Sequence, residues 1–257
     1  MTFIAVSFDY GATNTTYARL MKVFKKSVEV NCPGAVVKDI YIEAPRNITY
    51  KRGFASNTAK LAKWLEAMYE IEDEHLIFID CDMMVLKEIK DIFNQDFDIA
   101  CTKRSNSPYK YNGGVVFAKN NERSKAFMKL WLDINNKMLN DFKFHSPWRD
   151  KYAGMNQAAF GYIMEKCKYD AKLIEVPCSI WNLCNEDWVR YNDSTRIVHI
   201  KGQLRKGCLG LCRTPAHIGR LVELWLQYSD EYRPTKKIVK KPTMQNVTVQ
   251  TPWLRFM

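Results

Sequence analysis

Apolar positions recur along the chain with two different periods. Residues 3 to 8 alternate and are rich in Phe, Ile and Val, which predicts a buried strand ending at Asp9-Tyr10-Gly11. From Thr15 to Val30 the period lengthens: Tyr17, Leu20, Met21, Phe24 and Val28 recur at steps of three and four, predicting a helix. Asn14 or Thr15 can cap that helix, and Cys32-Pro33-Gly34 stops it. Val36 to Ile42 read as a second strand, and Ser56 or Asn57 as the cap of a helix running through Ala67. Leu76-Ile77-Phe78-Ile79 is too short for a helix and closes abruptly on Asp80-Cys81-Asp82, which predicts a central strand. Further strands are predicted at Ile99 to Thr102, Val115 to Ala118 and just before His199, with an amphipathic helix from Arg123 to about Leu139. The alternation implies an α/β fold, a sandwich of helices around a mostly parallel sheet. No linker interrupts it before residue 230, so residues 1–232 read as one domain and 233–257 as a basic, extended tail.

Composition narrows the class. With 47% apolar and 13% aromatic residues among 257, the chain can bury a substantial core, which excludes disorder and a disulfide-stapled miniprotein. Its longest apolar runs fall far short of the roughly 18 to 20 residues that span a bilayer. The N-terminus has no basic leader region and reaches Asp9 early, so a cytoplasmic location is expected. There the eight cysteines would be reduced and mostly buried. A zinc site from Cys178, Cys184, Cys208 and Cys212 is the sharper alternative, although their spacing matches no tight zinc knuckle. The N-x-S/T triplets at Asn14, Asn47, Asn192 and Asn246 are coincidental in that compartment.

Three segments carry candidate chemistry. Ligands of open α/β sheets bind at the carboxyl ends of strands, where Asp80 and Asp82 fall. Alternate residues of an extended segment point the same way, so both carboxylates can serve one hard divalent cation while Cys81 faces the core. In Tyr111-Asn112-Gly113-Gly114-Val115, two glycines let a ligand approach the backbone, and Asn112 can both donate and accept hydrogen bonds. At Arg196 to Gly207 a short strand ends at His199, followed by glycines and the cations Lys201, Arg205 and Lys206, a composition suited to a polyanionic phosphate.

In this order, over about residues 3 to 207, these segments resemble the glycosyltransferases of the GT-A fold, and most closely the glycogenin-like glycosyltransferase family 8. The resemblance implies a GT-A nucleotide-diphospho-sugar transferase fold and a metal-dependent transferase using a nucleotide sugar, UDP-linked, with retention of anomeric configuration. Leu76 to Val85 is similar to the family's strand with its D-x-D motif, and His199-Ile200-Lys201-Gly202-Gln203-Leu204-Arg205 to H-x-x-G-x-x-K. Asp80, Asp82 and His199 would then hold Mn2+ or Mg2+, with Arg205 in place of the diphosphate-binding lysine and Lys201 and Gly202 beside it. Tyr17 inherits the tyrosine that stacks on uracil, and Asp9 a nucleoside contact. Lys60 stands where the family's donor-touching Arg is usual, and Asn112, Gly113 and Gly114 match the segment that contacts the donor sugar. Gly154-Met155-Asn156-Gln157 is similar to the D-Q element that places a glutamine beside the anomeric carbon; Gln157 matches, while Asn156 replaces the acid. A neutral glutamine supplies no strong nucleophile, so a front-face displacement is expected.

The net charge of +11 bears on the acceptor. Residues 196–220 contain Arg196, Lys201, Arg205, Lys206, Arg213 and Arg220 and no acid; the tail adds Arg233, Lys236, Lys237, Lys240, Lys241 and Arg255. With Trp225, Tyr228, Tyr232 and Trp253 interleaved, a hydroxylated base in DNA is the expected acceptor. A lipopolysaccharide or other saccharide, met by peripheral contact with a membrane surface, accounts for the same charge. A noncatalytic nucleic-acid-binding module is the alternative of another class.

Overall fold

The computed structural model describes residues 1–9, 15–43, 52–105 and 107–229. The tail at 233–257, and with it Tyr232 and Trp253, lies outside the described residues, as do Asn14, Asn47 and Asn246.

Three strands come first: β1 (Thr2–Asp9), β2 (Val36–Glu43) and β3 (His75–Asp80). β2 and β3 both pair parallel with β1. Their connections are the helices α1 (Thr15–Asn31) and α2 (Arg52–Glu70). After β3 the chain turns through Cys81-Asp82 into a three-residue strand, β4 (Met83–Val85). β5 (Ile99–Lys103) and β6 (Tyr111–Lys119) follow, and β6 runs antiparallel to both β3 and β5. The second half adds α3 (Glu122–Asn140), α4 (Phe142–Tyr152), α5 (Asn156–Lys166), β7 (Leu173–Pro177), α6 (Cys178–Trp181), β8 (Ile197–His199), α7 (Gly202–Cys208) and α8 (Ala216–Tyr228). The main sheet has the order β2-β1-β3-β6-β5-β7, and β4 pairs antiparallel with β8 in a separate two-stranded sheet.

The apolar runs of β1 and β3 are buried on both faces because helices cover both sides. Ile4, Val6, Leu76 and Phe78 pack with Leu61, Trp64, Phe127, Trp131 and Phe160 of α2, α3 and α5. Phe3, Ala5, Ile77 and Ile79 face the other way, against Met21, Phe24 and Val28 of α1. A third cluster joins Leu20 and Val23 of α1 to Met84, Val198, Leu204, Leu221 and Trp225, seating the small sheet under α7 and α8. No helix among the described residues is long and apolar enough to cross a membrane.

Two expectations are corrected. α2 begins a turn earlier than a cap at Ser56 or Asn57 allows, and both residues lie inside it. Thr58 shows why a polar run need not start the helix: its hydroxyl donates back to the Phe54 carbonyl at 2.9 Å, within the ladder. Trp225 is fully buried among α1 and α8 side chains, which removes it from the surface offered to DNA bases. Tyr228 is tied down as well, its hydroxyl accepting from Asn31 Nδ2 at 2.9 Å.

Candidate active site

The antiparallel course of β6 assembles the site. Ile79 is in register with Val115, so the carboxyl end of β3 meets the amino end of β6, and Asp80 lies beside Asn112-Gly113-Gly114. The β5–β6 register shifts between Cys101, opposite Val116, and Thr102, opposite Asn112, which puts Gly113, Gly114 and Val115 in a bulge. On the other flank Met83 is in register with His199, so β8 carries its terminal histidine onto the Asp80-Cys81-Asp82 turn. The main chain reinforces the seam, with Ile200 N–H donating to Asp82 O at 2.7 Å. Cys81 points into the core, where burial and the two neighbouring carboxylates push its thiol well above its ordinary range.

One ligand atom each from Asp80, Asp82 and His199 lies within 4.8 Å of the others, and no other such group of three or more His, Cys, Asp or Glu residues occurs among the described residues. His199 Nε2 is 3.2 Å from Asp82 Oδ1 and 3.8 Å from Asp80 Oδ2. Two carboxylates and one imidazole on one spot suit a divalent ion of the Mn2+ or Mg2+ type. The proposed zinc cysteines do not gather. Cys178, Cys184 and Cys208 are buried and Cys212 is exposed, and no three of them come within ligand range of one another.

Cations surround the two acids. Lys60, buried on α2, puts Nζ 2.6 Å from Asp80 Oδ1 and 4.6 Å from the Trp64 ring centre. Arg205 donates to Asp82 Oδ2 and, through Nε, to the Ile200 carbonyl at 3.0 Å, and its guanidinium lies 5.5 Å from the Tyr17 ring centre. Burial opposes the charge of Asp82, but His199, Arg205 and Lys201 outweigh it and hold the carboxyl well below the usual carboxylate range. Burial likewise opposes the Arg205 charge, and Asp82 and Tyr17 outweigh it and raise the guanidinium further. Asp82 is therefore ionised at neutral pH, the state a metal ligand requires. Gly202, at φ +52, turns the chain from β8 into α7 in a conformation that favours glycine.

From this centre a cleft opens in two directions. A part of about 220 Å³ runs past Lys60 to Val6, Phe8, Tyr17 and Ser56. A part of about 240 Å³ is lined by Asn112, Gly113, Gly114, Asn156, Gln157, His199 and Lys201. The Gln157 amide nitrogen donates to the carbonyls of Tyr111, at 2.7 Å, and Tyr152, at 3.2 Å, which leaves Oε1 as its group for a ligand. The turn carrying Gln157 is forced: Ala153 has φ +61 and Gly154 φ +58, and His145 Nε2 meets the Gly154 carbonyl at 2.8 Å.

Of the residues singled out in the sequence, Asp80, Asp82, His199, Lys60, Lys201, Tyr17, Asn112, Gly113, Gly114 and Gln157 border this centre, Arg205 reaches it through Asp82, and Gly202 serves as the turn into α7. Asp9 ends β1, but its side chain lies outside the described residues. Gly114 serves His199 as much as any ligand, because a Cβ there would stand 2.8 Å from His199 Cε1. Asn57, Thr102 and Asn182 were not anticipated. Asn57 lines both parts of the cleft, and Asn182 touches His199 from behind. The signal for Asn182 was a lone polar residue inside an apolar stretch, Ile180-Trp181-Asn182-Leu183-Cys184, whereas Thr102, followed at once by Lys103 and Arg104, gave none.

Comparison with known proteins agrees with this geometry. A glycosyltransferase involved in the glycosylation of the major capsid of PBCV-1 superposes with a TM-score of 0.56 at 16% identity, over 80% of this chain and 95% of its own. The galactosyltransferase LgtC, solved with donor and acceptor sugar analogues, gives 0.55 at 14%, over 89% of this chain and 95% of its own. GlyE of Streptococcus pneumoniae TIGR4 gives 0.55 at 13%, over 88% of this chain and 60% of its own. These likenesses establish the GT-A architecture. No protein of curated function matches the chain by sequence. The family of nucleotide-diphospho-sugar transferases matches residues 72–207, more than half of the chain, a span holding both aspartates, the Asn112 bulge, the Gln157 turn and the His199 strand, so the chain belongs to that family and is a glycosyltransferase.

Proposed function

We propose that the chain transfers a sugar from a UDP-linked donor to a hydroxyl of a saccharide, with retention, using Mn2+ or Mg2+ held by Asp80, Asp82 and His199. The observation that carries this reading is the convergence of those three ligands at the junction of the two parts of the cleft. Residues 1–232 act as the catalytic domain, and 233–257 as an appendage.

Breaking the bond between sugar and diphosphate puts charge on the departing phosphate, and the bound divalent ion supplies Lewis-acid stabilisation of that charge. The chain's own contribution is cationic. Lys60, Lys201 and Arg205 border the same space, and charge-assisted hydrogen bonds of this kind are worth about 1.5 to 3 kcal/mol each. Tyr17, at the far end of the smaller part, offers a ring face to the uracil, with Asp9 beside the nucleoside. Asn112, Gly113 and Gly114 border the donor sugar, and the missing side chain of Gly113 admits a hexose close to the backbone. Gln157 presents a neutral amide oxygen, which stabilises positive character at the anomeric carbon and forms no lasting bond to it. Among the described residues lining the cleft the only carboxylates are Asp80 and Asp82, committed to the metal, so the acceptor proton passes to the departing phosphate, on the face where the acceptor attacks.

A saccharide acceptor is favoured over DNA because much of the positive charge is already committed. Arg196 pairs with Asp91, Nη2 to Oδ2 at 2.6 Å, and Arg220 with Glu223 at 3.2 Å. Arg205 is held by Asp82, and Trp225 is in the core. The test is incubation with Mn2+ and a panel of UDP-, GDP- and CMP-sugars, first alone and then with oligosaccharides, lipopolysaccharide and hydroxymethylated DNA. Slow Mn2+-dependent hydrolysis of a UDP-sugar, and transfer to a saccharide, are expected. Transfer only to DNA would overturn the acceptor, and no turnover of any donor would overturn the whole reading.

A further inference from the structure

An imidazole that binds a metal through one nitrogen carries its proton on the other, and whatever that second nitrogen meets decides the tautomer. His199 is buried, with Nε2 turned to the two aspartates. Its Nδ1 lies 3.2 Å from Asn182 Oδ1. Asn182 is fully buried, and its Nδ2 donates to Thr102 Oγ1 at 3.0 Å. Thr102, equally buried, donates its hydroxyl proton to the main-chain carbonyl of Asn112 at 2.7 Å.

The direction of this chain is not free. The Asn112 carbonyl can only accept, so the Thr102 hydroxyl gives its single proton there and must accept from Asn182. The Asn182 amide therefore turns its nitrogen to Thr102 and its oxygen to His199, and an amide oxygen asks for a proton on Nδ1. One backbone carbonyl thus dictates three successive bonds. The Asn112 side chain anchors the same point, its Nδ2 donating to Cys184 Sγ at 3.1 Å and its Oδ1 accepting from Gly114 N–H at 3.0 Å.

We infer that Asn182, directed by Thr102, is the positioning residue that keeps the proton of His199 on Nδ1 and leaves the Nε2 lone pair for the metal ion. The inference rests on the metal reading of Asp80, Asp82 and His199. Neither Asn182 nor Thr102 is among the residues lining the cleft, so their effect reaches the reaction through the orientation and basicity of the histidine. Loss of such an outer partner typically weakens metal binding by about 10- to 100-fold.

The test uses the full chain and Mn2+ alone, so that no turnover enters the readout. Free Mn2+ is followed by electron paramagnetic resonance for the wild type, Asn182→Leu, Thr102→Val and Thr102→Ser, and the metal-free wild type is labelled with 15N-histidine for NMR. The His199 signals are assigned by their loss in His199→Gln. A protonated Nδ1 is expected in the wild type, with Mn2+ dissociation constants raised about 10- to 100-fold in Asn182→Leu and Thr102→Val and restored by Thr102→Ser, which returns the hydroxyl. A wild-type Nδ1 without a proton overturns the inference even if every variant fails to fold. Wild-type Mn2+ affinity in folded Asn182→Leu and Thr102→Val overturns it while sparing the metal reading. A wild type that holds no Mn2+ overturns both.

Discussion

Replacing Gly114 by alanine adds one methyl group where the structure has no room for it. The new Cβ would lie 2.7 Å from Met83 Cε and 2.8 Å from His199 Cε1. Met83 can swing its flexible end away, but His199 is held at Nδ1 by Asn182, flanked by Asp82 at Nε2, and tied by its own N–H to the Leu183 carbonyl at 2.9 Å. Reaching ordinary contact requires the ring to retreat by roughly 0.6 Å or more. That is about three times the tolerance of roughly 0.2 Å within which metal–ligand distances are met. The backbone raises no objection, since Gly114 has no positive φ, so the damage is steric and local. Overpacking should cost about 1 to 3 kcal/mol of stability. A misplaced ligand should lower turnover by roughly 10- to 100-fold, in line with the effect of ångström-scale misplacement at reacting groups. The assay is a Mn2+ titration of donor hydrolysis, beside a denaturant melt and Mn2+ affinity measured without donor. Gly113→Ala is the control: its Cβ would stand 3.8 Å from Gln157 Cγ and 3.9 Å from Asn156 Cβ, both ordinary contacts, so Mn2+ affinity should stay near wild type. A Gly114→Ala enzyme with unchanged metal affinity and rate would refute the reasoning.

Asp80→Asn and Asp82→Asn should each keep the fold and lower transfer by a hundredfold or more, about 3 kcal/mol, since each removes a charge from the metal and the leaving group; normal turnover in both would remove the aspartates from the site. Ala153→Gly should raise stability by about 1 kcal/mol in a denaturant melt by relieving its φ of +61, and a loss of stability would show that the turn is unstrained. Burial opposes the Glu175 charge, but hydrogen bonds from Lys103, Lys110 and Tyr111 outweigh it and hold the carboxyl down at about 2. Because that folded value lies below the ordinary one, its stabilisation is complete above about pH 4.5 and is lost as pH falls toward 2. Glu175→Gln should therefore destabilise by about 2 to 3 kcal/mol at pH 7 and by less than half as much at pH 3, and an equal deficit at both would refute the ion-pair account.

How far the site was legible depended on whether a residue's partners are local. Leu76 to Ile79 announced a strand because both faces are covered, and Asp80 and Asp82 could be set on one side of it from alternation alone. The break after Asp82 was not legible: Met83-Met84-Val85 is apolar enough to continue the same strand, and only pairing with β8 moves it into a second sheet. The antiparallel course of β6 was hidden for the same reason, since no local pattern distinguishes an antiparallel strand buried on both faces from a parallel one. α4 has an irregular apolar pattern with Pro147 inside it, and α5 was readable only as a resemblance around Gln157. The engagement of Lys60 with Asp80, like that of Asn182 with His199, joins residues from separate elements, and propensity is silent about such pairs. In the basic run at 196–220 the composition was visible and the pairing was not: Arg205, Arg196 and Arg220 meet Asp82, Asp91 and Glu223, three acids that lie outside the run.

The register of Met83 with His199 divides the chain into stretches that can and cannot change length. A strand's side chains alternate, so one residue inserted or deleted within Met83–Val85 or Ile197–His199 would bring Val198 or Ile200 to the place of His199 and turn an imidazole ligand into an aliphatic one. Between Leu86 and Arg196 runs much of the fold, from β5 to α6, yet the ladder itself binds only the two ends of that stretch, where Leu86 N–H meets the Arg196 carbonyl at 2.7 Å. Descendants of this chain should therefore gain and lose segments freely at surface connections such as residues 104–110 or 190–195, and keep the few positions on either side of the ladder in strict count. Length variation, set along the chain, would trace the ladder as a gap-free pair of short blocks.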